Sequence, residues 1–330
     1  MNDWKVFLGK GPQHDGLLNL PDAPPWRFAG QLKRLERPAD LDLEREAARA
    51  EPFLPTDGMI LAVNAALYLR RPLLLTGKPG TGKSTLISKV AHELRLGPVL
   101  RWPITSRSTV RSGVYEYDAV GRLQASKQED PPVEQFLTLG PLGTSLMAQS
   151  WPRPLLIDEI DKSDLDFAND LLNVIEEGDY EIPELRRLGK SVATVRDSFG
   201  KPVEIREGRI RCGQFPFVVM TSNAEREFPP PFLRRCVRLG IAQPTPEQLS
   251  AILNSHLTQF SAKLSSEEAK KEINLLIKKF EEGRDIATDQ LLNAVFLTVA
   301  LRDEEARSFS ETELDELRKN LFRELSGSSM

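Results

Sequence analysis

Metal centres and disulfide frameworks are built from cysteine and histidine, and this chain has little of either: two cysteines and three histidines in 330 residues. Cys212 and Cys236 stand apart, and His14, His92 and His256 fall at no metal-ligand spacing, so zinc modules and disulfide-stapled folds are excluded. Unpaired cysteines suit a reducing compartment, and a cytoplasmic location is expected. Long apolar runs are missing too. No stretch is long enough to cross a bilayer, and Met1 to Gly30 has no uninterrupted apolar core behind basic residues, so neither a membrane span nor a signal peptide is expected. An excess of positive charge is also absent: 44 Lys and Arg against 48 Asp and Glu leave a net charge of −4. That balance argues against coating nucleic acid through bulk charge, though a local basic surface stays open. What remains is 40% hydrophobic and 28% charged, the composition of a globular chain with length for about two domains.

The most specific stretch is Gly77-Lys78-Pro79-Gly80-Thr81-Gly82-Lys83-Ser84, a full match to G-x-x-x-x-G-K-[ST]. Successive backbone N–H groups at a helix start can wrap a triphosphate, and Gly77, Gly80 and Gly82 permit the close approach. In such a loop Lys83 reaches the outer phosphates, the Ser84 hydroxyl is a ligand of Mg²⁺, and Thr85 follows on the helix. The flanks agree. Pro72 to Thr76 reads as a short buried strand, and Ser84 to Leu94 as a helix with Leu86, Ile87, Val90 and Leu94 on one face. ATP and Mg²⁺ are therefore the expected ligands.

A second constellation is Pro154-Leu-Leu-Ile-Asp-Glu-Ile-Asp161. Three aliphatic residues in a row predict an interior strand of a parallel sheet, delivering Asp158 and Glu159 to its carboxyl end, where open α/β sheets bind ligands. Carboxylates are costly there unless a cation joins them. Asp158 is expected to hold Mg²⁺ with Ser84, and Glu159 to activate the attacking water. Phe215 to Thr221 predicts another strand, ending at Ser222-Asn223, whose amide can position the water or the terminal phosphate. After Pro229-Pro-Pro, Arg234 and Arg235 are adjacent. Either can serve as an arginine finger in a neighbouring subunit or as an ordinary surface ion pair.

In chain order, residues 1–53 read as an irregular N-terminal arm that ends in a polar helix from Leu41 to Ala50, with Trp4, Phe7 and Trp26 as candidate anchors. Residues 54–243 form the α/β domain. A helix capped at Thr56-Asp57 precedes the glycine loop, Pro98 to Ile104 has strand character, and Pro141 to Gln149 and Asp164 to Glu177 predict helices. Residues 186–211 form a basic insertion, a long hairpin or loop with Arg186, Arg187, Lys190, Arg196, Lys201, Arg206, Arg209 and Arg211. Residues 244–330 read as a helical lid and tail. Thr245-Pro-Glu-Gln248 is a capping box, further helix starts fall near Ser266, Thr288 and Ser310, and Leu292, Val295, Phe296 and Val299 share an apolar face.

Taken together, Gly77 to Ser84, Leu155 to Asp161, Thr221 to Asn223 and Phe232 to Arg235 resemble the AAA+ ATPases, and over residues 54–302 the chain looks most like their MoxR branch. Gly140-Pro-Leu-Gly143, Leu171 to Gly178 and Pro231 to Cys236 carry the branch resemblance. The resemblance implies a doubly wound parallel sheet of the P-loop NTPase type with a C-terminal helical lid, and a homo-oligomeric ring, usually of six. It implies ATP hydrolysis at subunit interfaces and chaperone-like remodelling of a protein client, often with a partner carrying a von Willebrand A domain. By position, Lys83 and Ser84 match the phosphate and Mg²⁺ residues, Asp158 and Glu159 the metal and water residues, Asn223 the sensor, and Arg235 the finger, with Arg234 as its rival. Arg284 is an imperfect match to a second sensor. The insertion at 186–211 and the segment from Tyr115 to Thr138 fall where channel-facing segments are found. Two other readings stand beside this one: a nucleic-acid-acting ring, and a nucleotide-gated switch in a bacterial defence or signalling assembly.

Overall fold

A computed structural model describes residues 4–27, 33–39, 41–126, 131–148, 150–256, 273, 277–278, 288–300 and 316. The chain divides into two compact units: Met1–Ala50, Pro55–Thr76 and Ser84–Gly240 form one, and Glu51–Leu54, Gly77–Lys83 and Ile241–Met330 the other.

In chain order the first unit begins with the short helix α1 (Ala47–Ala50) and then α2 (Asp57–Leu69), capped by the Thr56 hydroxyl on the Met59 N–H and closed by Arg70 in the left-handed conformation. Then come β1 (Leu73–Thr76), α3 (Lys83–Glu93), β2 (Leu100–Pro103), α4 (Val110–Val114), β3 (Tyr115–Tyr117), α5 (Ala119–Ala125), β4 (Leu137–Leu139), α6 (Pro141–Leu146) and β5 (Pro154–Asp158). The unit continues through α7 (Leu165–Glu177), β6 (Asp179–Glu181), α8 (Pro183–Arg187), β7 (Val192–Arg196), β8 (Pro202–Arg206), β9 (Arg209–Arg211), β10 (Phe217–Ser222), α9 (Pro230–Leu233) and β11 (Val237–Gly240).

The first sheet has the order β11-β1-β10-β5-β2, every pair parallel. Strands distant in sequence become neighbours because parallel pairing requires crossovers. Leu73, Leu74 and Leu75 of β1 and Leu155, Leu156 and Ile157 of β5 are all buried, as expected of strands covered on both faces. Pairing of β10 with β1 and β5 sets Thr221 beside Leu75, and Met220 beside Ile157. Thr76, Asp158 and Ser222 therefore end neighbouring strands at one edge of the sheet, its carboxyl edge.

A second sheet, with the order β3-β4-β7-β8-β9-β6, is absent from the sequence reading. The insertion is indeed a hairpin through β7 and β8, but its first basic residues lie in α8, and β4 pairs with β7 to join it to the Tyr115–Thr138 region. Val114, Tyr115, Leu139, Ala193, Val195, Ile205 and Ile210 of this region share one hydrophobic cluster with Leu155, Ile157, Val218 and Met220. Helix α7, capped by Asp164 and ended by Gly178 at φ 64°, buries Ala168, Leu171, Leu172 and Ile175 in the same cluster.

The arm departs from expectation in two places. Only Ala47–Ala50 of the anticipated Leu41 to Ala50 helix is helical. Phe7 is fully buried, but Trp26 is 75% exposed. Helix α6 stops at Leu146, and Gln149 lies outside the described residues.

In the second unit, α10 (Pro246–His256) opens with the predicted capping box, the Thr245 N–H donating to Gln248 Oε1 and the Gln248 N–H to Thr245 Oγ1. In α11 (Thr288–Ala300) Leu291, Ala294 and Val295 are buried and Phe296 is 43% exposed. Of the predicted face Val295 is buried and Leu292 half-buried, whereas Phe296 is exposed. Arg284 and the starts near Ser266 and Ser310 lie outside the described residues.

Candidate nucleotide site

The glycine loop leaves β1 and runs into α3. Gly80 and Gly82 adopt φ 74° and 81°, where a side chain is strained, and a Cβ on Gly82 would stand 2.7 Å from the Phe53 ring. Lys83, 6% exposed, donates from Nζ to the carbonyls of Gly77 and Lys78, each at 2.7 Å. The Thr81 hydroxyl donates to the same Lys78 carbonyl at 2.9 Å. Lys78, Pro79 and Gly80 are exposed and Thr85 is half-buried. An ammonium held on the loop's own carbonyls is a cation set where a phosphate oxygen can replace them as partner.

At the carboxyl edge of the first sheet, Asp158 Oδ1 accepts from the Ser84 hydroxyl at 2.7 Å and also from the Thr221 hydroxyl. Thr221 Oγ1 in turn accepts from the Glu159 N–H at 3.0 Å. One hydroxyl, 99% buried with its residue, therefore ties Asp158 and the Glu159 backbone together, and its proton points to Asp158 because an ionised carboxylate only accepts. Sequence reasoning gave Thr221 no role; the signal lay in a polar residue near the carboxyl end of an otherwise apolar strand, one position past its last pair with the Asp-Glu strand.

Glu159 sits at φ 58°, which turns the chain sharply after β5. Its Oε2 accepts from Lys162 Nζ at 2.5 Å, a half-exposed pair that raises the Lys162 pKa through that hydrogen bond. A cavity of about 540 Å³ opens here, lined by Glu159, Asp161, Lys162, Glu225, Arg226 and residues 103–106. The Asn223 N–H donates to Asp161 Oδ2 at 3.0 Å, so this residue is fixed beside the turn that carries Glu159.

A hydroxyl and a carboxylate are hard oxygen donors, the set that Mg²⁺ takes, with phosphate and water completing its shell. Ser84 and Asp158, already in contact, fit that ion. Residues 72–236 match the family model for the AAA domain of the dynein-related subfamily. The chain belongs to the AAA ATPases. No curated protein matches it. The all-parallel sheet and the glycine loop between β1 and α3 are what a nucleotide-hydrolysing AAA+ protein requires.

The two arginines of this AAA domain differ. Arg235 Nη1 donates to Asn173 Oδ1 at 2.8 Å and its Nε lies 3.4 Å from Glu176 Oε2, both on α7. Arg234 is exposed, and its carbonyl accepts from Arg71 Nη1 at 2.9 Å. In the basic insertion, Arg209 pairs with Asp179 and Glu181, Arg211 with Asp179 and Glu207, and Lys190 with Glu134. Among the described residues no helix is long and apolar enough to cross a membrane.

Proposed function

We propose that this AAA ATPase is a MoxR-like motor that assembles as a ring, usually of six, and uses ATP hydrolysis to remodel or mature a protein client, with a von Willebrand A-domain protein as its partner. The observation that carries the ATPase reading is the Ser84–Asp158–Thr221–Glu159 hydrogen-bond network at the carboxyl edge of the sheet. In this reading the loop from Gly77 to Lys83 binds the phosphates and Ser84 and Asp158 hold Mg²⁺, whose charge eases phosphoryl transfer when bound. Glu159 takes a proton from a water whose oxygen attacks the γ-phosphorus, the bond to the β–γ bridging oxygen breaks, and ADP leaves. Asn223 orients that water, and Arg235, or its rival Arg234, serves a neighbouring subunit's site. The MoxR assignment is supported by Gly140-Pro-Leu-Gly143 and Pro231 to Cys236. The ion pairs of Arg209 and Arg211 with neighbouring acids, and a net charge of −4 over the whole chain, favour a protein client over nucleic acid, which binds through excess positive charge.

The test compares variants of the full chain. Glu159→Gln is expected to keep ATP and Mg²⁺ binding by calorimetry while turnover stops, and the client is sought among proteins that co-purify with it. Lys83→Ala should lose binding. Arg235→Ala should retain binding and lose up to roughly 10³-fold in turnover. Normal turnover in Glu159→Gln rejects the reading, and a loss confined to Arg234→Ala moves the finger to that residue.

A further inference from the structure

The turn after β5 carries a second acid to which no step of hydrolysis has been given. Asp161 is 4% exposed, and its Oδ2 accepts two backbone N–H groups, Asn223 at 3.0 Å and Glu225 at 3.2 Å. Amides two residues apart converge on one oxygen only if the residue between them reverses the chain. Ala224 does this at φ 61°, a conformation that opposes any side chain. Arg226 Nη1 then donates to the Ser163 carbonyl at 2.8 Å. The loop at 223–226 is thus fastened at three points to the turn at 159–163 that carries Glu159. Asp161 Oδ1 is buried with no hydrogen-bond partner among the described residues. A buried carboxylate satisfied at only one oxygen is an expensive way to fill space, since an apolar side chain would do so at less cost.

We propose that Asp161 is a positioning residue for hydrolysis, setting the loop that bears Asn223 against the turn that bears Glu159. The inference rests on the roles proposed above for those two residues; Asp161 itself acts only through them. Its carboxylate suits the task because a charged oxygen holds two converging N–H donors more firmly than a neutral one. The consequence is a fixed distance between the group that takes the proton and the group that orients the water, and misplacement on the scale of an ångström is costly in rate.

The test uses the full chain with Asp161→Ala, Asp161→Asn and Ala224→Val beside Glu159→Gln, reading kcat and KM for ATP, calorimetric affinity for ATP with Mg²⁺, and thermal unfolding. Asp161→Ala is expected to lower kcat about 10- to 100-fold while KM and affinity stay within about threefold. Asp161→Asn, which keeps an acceptor oxygen, should recover most of that loss. Ala224→Val leaves the carboxylate in place but resists the left-handed turn, and should lower kcat in the same direction. Wild-type kcat in folded Asp161→Ala, an affinity loss matching the loss in kcat, or an Asn variant no better than Ala overturns the proposal. Should Asp161→Ala not fold, Asp161→Asn and Ala224→Val decide, and wild-type kcat in both overturns it. A defect in these variants beside an active Glu159→Gln would instead reject the underlying assignment of Glu159, and the positioning role with it.

Discussion

Single atoms decide the chemistry of this site. Thr221 is one hydroxyl away from valine, yet that oxygen accepts from the Glu159 N–H and donates to Asp158, so the strand end can hold two acids in one orientation. The cysteines are the opposite case. Both are buried, and burial pushes the thiols of Cys212 and Cys236 up to about 12 from an ordinary 9.0. With a raised native pKa the unfolded chain releases these protons first, so their contribution to stability is complete below pH 9.0 and is lost as pH rises toward about 12. Disulfide-exchange reagent at pH 8 is expected to react with the native protein at least about 100-fold more slowly than with the chain in urea. Equal rates would mean that one thiol is open to solvent.

At the scale of elements, close approach explains glycines that no positive φ requires. Helix α6 begins Pro-Leu-Gly after Gly140, and a Cβ at Gly143 would overlap the Val114 carbonyl, with its carbon at 2.9 Å. A Cβ at Gly140 would overlap the Gly113 carbonyl. The contacts are with backbone, which has no rotamer to yield. Gly143→Ala is therefore expected to cost at least about 1–3 kcal/mol in urea unfolding, whereas an exposed helical glycine would gain from the same change. The first sheet was readable because runs such as Leu73–Leu75 and Leu155–Ile157 are apolar throughout, which only strands buried on both faces sustain. The second sheet was not. Its strands β3, β4, β6 and β9 have three residues each, too short to show a period, and β3, β6 and β9 carry charged residues. Arg209 and Arg211 counted towards the basic insertion; in the sheet they stand opposite Glu181 and Asp179.

For the whole molecule, the start of the arm is tied into the first unit, with Val6, Phe7 and Leu17 buried. Asn64, fully buried on α2, accepts the N–H groups of Val6 and Phe7 at 2.6 and 3.0 Å and donates to the Phe7 carbonyl at 2.8 Å. Glu93, at the end of α3, accepts from Leu8 and Gly9. Two buried polar side chains are thereby committed to the arm's backbone. Asn64→Ala strands those arm groups and is expected to cost about 2–5 kcal/mol, read as a lower urea midpoint with an unchanged slope. A variant within about 0.5 kcal/mol of wild type would show the arm to be dispensable. Arg27, also in the arm, shares Glu176 with Arg235, joining the arm to the finger candidate through one carboxylate.

The sequence by itself determined the phosphate loop, the acidic strand end and the alternation of strand and helix around them, because each is local: a glycine pattern, an aliphatic run, a capped helix. Only the tertiary structure decided that Thr221 would stand beside Asp158, that Asp161 would hold the Asn223 loop, and that Arg209 and Arg211 would stand opposite Glu181 and Asp179. Those outcomes depend on strand order and register, which bring Thr221 to Asp158 across 63 positions and Arg209 to Glu181 across 28, and leave no periodic trace in the chain.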